Sequence, residues 1–107
     1  MKMGIILNTD EPETVWNALR FGVTALDAEH SVKIFLLGSG VDCENSRDEK
    51  FNVQKMLSLF KKKQGVLLAC GTCLKARGEE ESSVCLTSTM GELLKLVEES
   101  EKVLTFG

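Results

Sequence analysis

The chain is 107 residues long, of which 43% are hydrophobic and 27% charged, and it carries a formal net charge of -3. That length and composition fit one globular domain over residues 1–107. The charge argues against a nucleic-acid surface, which asks for a basic domain, and no apolar run approaches the ~20 residues of a membrane helix. Met1 to Asn8 turns polar too soon for a secretory signal. A cytoplasmic protein is therefore expected, with its four cysteines held mainly as thiols.

Met3 to Leu7 is an apolar run that reads as a first strand. Asp10 as cap, Pro12 in the first turn and Glu13 three past the cap then open a helix. Val15, Ala18, Leu19, Gly22, Val23 and Leu26 give that helix one apolar face, while Trp16 and Phe21 lie off it, for the core or for a partner subunit. Val32 to Leu37 reads as a second strand, broken by Gly38-Ser39-Gly40. That glycine pair lacks the third glycine of a dinucleotide loop. A polar loop from Val41 to Lys50 follows, in which Cys43 would be reachable, and Phe51 to Lys63 reads as a second amphipathic helix.

Gly65 opens a third strand, whose five-residue apolar run ends at a cysteine and a glycine turn. Thr72 is placed to cap a short helix, and Gly78 closes it. Residues 79–83 form a polar connector, and Val84 to Thr87 a short fourth strand with Cys85 in the core. Thr89 and Glu92 match a capping box for a last helix, with Met90, Leu93, Leu94 and Val97 as its core face. Val103 to Phe106 is the fifth strand. The alternation of strand and helix with short connections predicts an α/β fold: a three-layer α/β/α sandwich on a five-stranded parallel sheet.

Cys70 and Cys73 are the sharpest chemical signal, a Cys-x-x-Cys pair at the carboxyl end of a strand, where open α/β sheets place their chemistry. Zinc would need a second pair, and Cys43, Cys85 and His30 do not supply its spacing. A thioredoxin-type dithiol fits the strand-to-helix placement, although that fold sets a cis-proline against its cysteines and the one proline here is Pro12. A thiol that carries sulfur needs a single reachable thiolate. The amides of the Gly71-Thr72 turn would favour that anion, and Lys75 and Arg77 would add positive potential. Against these stands a module that binds or assembles, with purely structural cysteines. No metal or cofactor is called for.

Cys70-Gly71-Thr72-Cys73-Leu74-Lys75-Ala76-Arg77-Gly78, with Trp16 to Phe21, Val32 to Gly38 and Ser88 to Leu93, resembles the DsrE/DsrF-like family over nearly the whole chain. The resemblance implies the five-stranded α/β/α sandwich, homotrimers or homohexamers, and cytoplasmic sulfur transfer between donor and acceptor proteins. It further implies a persulfide on Cys70, which matches the carrier position of relay members by its spacing to Gly78. Cys73 is not shared with the relay subunits; its proximity to Cys70, and not the resemblance, gives it the role of a resolving thiol. Ser39 stands where many relatives have aspartate.

Overall fold

The computed structural model describes residues 1–82 and 84–107. The elements run β1 (Lys2–Leu7), α1 (Pro12–Asp27), β2 (Ser31–Leu36), a 3-10 helix (Gly38–Asn45), α2 (Val53–Lys62), β3 (Val66–Cys70), α3 (Gly71–Ala76), β4 (Leu86–Ser88), α4 (Met90–Glu99) and β5 (Lys102–Phe106). The five strands are all parallel, in the order β4-β3-β2-β1-β5. The polar connector expected over 79–83 includes Ser83, which lies outside the described residues.

Alternation along the strands sorts side chains onto two faces. Ile5 pairs with Ile34 on one face, and a Cβ added at Gly22 of α1 would touch the rings and methyls of Phe60 and Ile34. So α1 and α2 cover that face together. Gly4 points the opposite way, and a Cβ there would strike Leu96 of α4 at 2.5 Å. Helix α4 therefore covers the second face, completing three layers as the chain alternation predicts. The core is the two-sided contact of β1, β2 and β3, with Ile5, Leu7, Ile34, Phe35, Leu36 and Leu67 excluded from solvent.

Several local expectations are corrected. The cap of α1 is Glu11, not Asp10: its carboxylate accepts the Thr14 N–H at 2.9 Å and the Glu13 N–H at 3.1 Å. Pro12 takes the first helical position because its missing N–H is one of the unpaired groups there anyway. The stretch after β2 is not simply a polar loop. It begins with the 3-10 helix, whose Val41 and Cys43 are buried, Cys43 at 1% exposure, so that thiol is not reachable. The apolar face of α4 is also turned: Leu93 and Leu96 enter the core, while Met90 and Leu94 are each 60% exposed and Val97 is exposed as well. Gly4 is the cause, since its missing side chain lets Leu96 settle on β1 and thereby sets the rotation of α4.

Trp16 sits half-buried at the core edge, its ring 5.4 Å from that of Phe51 and under the Arg20 guanidinium at 4.4 Å. Phe21 is exposed beside Phe106. Strand β4 starts later than expected, so Cys85 precedes it but remains buried.

Candidate functional site

Strand β3 is central enough to fix its last residue firmly, and that residue is Cys70. The chain turns directly from β3 into α3, with Cys70 itself as the cap: its Sγ accepts the Cys73 N–H at 3.4 Å. Thr72 does not cap; it lies inside α3 with an exposed side chain. Gly71 allows the turn to close against β4, because a Cβ there would sit 3.1 Å from the Thr87 methyl and 3.2 Å from the Ser88 carbonyl. Gly78 follows the helix with φ +65, the left-handed conformation that glycine adopts without strain.

The two thiols differ in setting. Cys70 is buried, at 3% exposure, whereas Cys73 is only partly buried. Burial pushes the Cys70 thiol above its usual value, reinforced by hydrogen bonding to the neighbouring Cys73 sulfur, and the amides of Cys73 and Thr72 offset this only in part. The depressed value that the turn amides suggest for Cys70 is thus overridden by desolvation. Cys73 Sγ accepts the backbone N–H of Gly38 at 3.3 Å. Gly38 adopts φ +56 at the head of the 3-10 helix, and that conformation turns its amide toward the thiol.

The expected electrostatic support is mostly engaged elsewhere. Arg77 pairs through Nε with Asp42 at 3.2 Å and donates from Nη1 to the Cys73 carbonyl at 3.3 Å. Lys75 is exposed on α3. Beyond Arg77 lies a carboxyl pair. Asn45 donates to Glu79 Oε1 at 2.6 Å, while among the described residues no N–H or hydroxyl reaches the buried Glu79 Oε2. The neighbouring Asp42 carboxyl, with burial, raises the Glu79 carboxyl above its ordinary range.

A cleft of about 690 Å³, lined by Asp10, Glu11, Pro12, Asp42, Asn45, Ser46, Arg47 and Asp48, opens at the carboxyl ends of β1 and β2. Cys43 and Cys85 are both buried, away from solvent. Among the described residues no three His, Cys, Asp or Glu side chains are arranged to hold a metal ion. Nor is any described helix long and apolar enough to cross a membrane. The residue that sequence reasoning passed over is Gly38. Its signal was a glycine pair closing the strand beside β3, which makes a poor dinucleotide loop but a good backbone donor to a neighbouring strand end.

A five-stranded parallel sheet with helices on both faces defines the class of fold, and comparison places the chain in a family. The DsrE/DsrF-like family model matches residues 1–106, and the protein belongs to that family, which is broadly associated with sulfur relay. An uncharacterised protein of Methanocaldococcus jannaschii is 36% identical over 115 residues, covering 99% of this chain and all of that one. Another from Methanopyrus kandleri is 37% identical over 100 residues, covering 88% of this chain and 83% of its own. The YchN protein of E. coli superimposes with a TM-score of 0.85 at 24% identity, over 99% of this chain and 100% of that one. A conserved protein of unknown function from Bacteroides thetaiotaomicron gives 0.78 at 22% identity, over 97% and 93%. The two solved structures share the fold of this chain.

Proposed function

We propose that this protein is a cytoplasmic sulfur-relay carrier that holds sulfane sulfur as a cysteine persulfide in the Cys70–Cys73 pair. One observation supports this above the rest: two free thiols stand together at a strand end, each receiving a backbone amide, from Cys73 and from Gly38. Such donors favour an anionic sulfur, whether thiolate or persulfide. Family membership supports the same reading, and the carrier cysteine expected from the resemblance is Cys70. Sulfur would arrive from a donor protein's persulfide and leave to an acceptor's thiol, by exchange at sulfur.

A second reading is favoured by the exposed stripe on α4. Met90, Leu94 and Val97 follow one another at helical spacing on one face and remain exposed. We infer that a second copy of the chain covers them, in the trimer or hexamer the family resemblance implies. If the thiols proved inert, an assembly module would be left as the account.

The test is the intact mass of the protein after incubation with glutathione persulfide. A reducible gain of one sulfur atom, absent when Cys70 and Cys73 are both replaced by serine, is the expected result. Loss of two hydrogens instead would make the pair a dithiol oxidoreductase. No change at all would leave the assembly reading.

A further inference from the structure

Within the sulfur-carrying reading, on which this step rests, we propose that Cys73 and not Cys70 is the thiol that attacks the incoming persulfide. Attack at sulfur needs a nearly linear approach along the S–S bond being broken, so the attacking sulfur must be reachable by a bulky donor. Cys70 is 3% exposed, closed in by the turn that it caps. Cys73 lies three residues on, one turn along α3, and is only partly buried.

Proton placement points the same way. The Gly38 N–H reaches Cys73 Sγ at 3.3 Å from outside α3, from the segment that follows β2, the strand paired with β3. Burial keeps the proton on Cys70, and that thiol is hydrogen-bonded to the Cys73 sulfur. The Gly38 N–H is thus a donor to Cys73 Sγ that does not depend on Cys70. No side-chain charge is needed, which agrees with Arg77 being held by Asp42.

The step balances without an oxidant. The Cys73 thiolate attacks the outer sulfur of a donor persulfide, R–S–SH. A new S–S bond forms at Cys73, the donor's S–S bond breaks, and the electron pair leaves on the donor as R–S⁻. One sulfur at the sulfane level moves with its proton, and the charge is unchanged. Cys70 remains a thiol beside the loaded Cys73.

The experiment is site mapping of the wild-type protein, exposed briefly to a substoichiometric amount of glutathione persulfide at neutral pH, then blocked with iodoacetamide and sequenced by tandem mass spectrometry. The extra sulfur is expected on Cys73. In Cys70→Ala it should still load, and in Cys73→Ser the rate of loading should fall at least tenfold. Early sulfur on Cys70 in wild type, or loading that survives Cys73→Ser unchanged, overturns the assignment while leaving the carrier reading in place. No sulfur on any cysteine overturns the carrier reading and this assignment with it. The wild-type map decides between the thiols even if a variant fails to fold.

Discussion

Gly40 and Gly91 show how differently two glycines of one chain are constrained. A Cβ on Gly40 would run into the backbone carbonyl of Leu7, because the 3-10 helix crosses the end of β1 in direct contact. That obstacle is main chain, so it cannot rotate away. Gly40→Ala is expected to cost about 1–3 kcal/mol, as overpacked sites do. Gly91 lies in the first turn of α4 with only Thr89 Oγ1 nearby at 3.7 Å. Gly91→Ala should stabilise by about 0.4–1 kcal/mol through the unfolded chain. Urea midpoints of the two variants check both signs, and a neutral Gly40→Ala would mean the 3-10 helix is not held where the structure has it. At this scale the Cys-x-x-Cys pair and the closing Gly78 were legible, since spacing and residue type alone mark them. The Gly38 contact was not, because it joins positions 35 residues apart.

At the scale of elements, the helices illustrate what an apolar period can and cannot say. The spacing of apolar residues in α1 marks its buried face, and Val15, Ala18, Leu19, Gly22 and Val23 are buried there. Helix α4 has apolar residues on two adjacent stripes, and either could have faced the sheet. The stripe of Leu93 and Leu96 goes in because Leu96 has room over Gly4. The other stripe stays exposed, where the proposed second copy would cover it. Replacing Leu94, 60% exposed, with glutamate should leave the folded chain within about 0.5 kcal/mol of wild type. It should also shift the oligomer to monomer in light scattering, because a charge buried in an apolar contact is strongly disfavoured. A wild-type protein that is already monomeric at micromolar concentration would refute the second-copy reading.

For the whole molecule, the buried thiols tie alkaline stability to the core. Burial raises Cys85 from an ordinary 9.0 to about 12, helped by the Glu44 carboxylate, and burial likewise raises Cys43. Below pH 9.0 both folded and unfolded chains hold the Cys85 proton. Above it the unfolded chain releases that proton while the buried thiol keeps it, so unfolding becomes easier as pH rises toward 12. Each protected thiol contributes a loss of at most about 1.4 kcal/mol per pH unit across that window. Cys85→Ala should therefore flatten the decline in denaturation midpoint above pH 9.0 relative to wild type. Equal slopes in the two proteins would mean that Cys85 ionises as readily folded as unfolded.

The sequence by itself determined the class of fold, the chain order of its strands and helices, and the placing of the dithiol at a strand end. Those follow from patterns within a few residues: apolar runs, turn glycines, a cap. Tertiary structure alone decided the sheet order, the rotation of α4, the burial of Cys43 and the unequal settings of Cys70 and Cys73. Each of these depends on contacts between segments far apart in the chain, where the shape left by Gly4 or the amide turned out by Gly38 selects among arrangements that local pattern leaves equal. The pair of cysteines was written in the sequence; which of them solvent can reach was set by what packs around the end of β3.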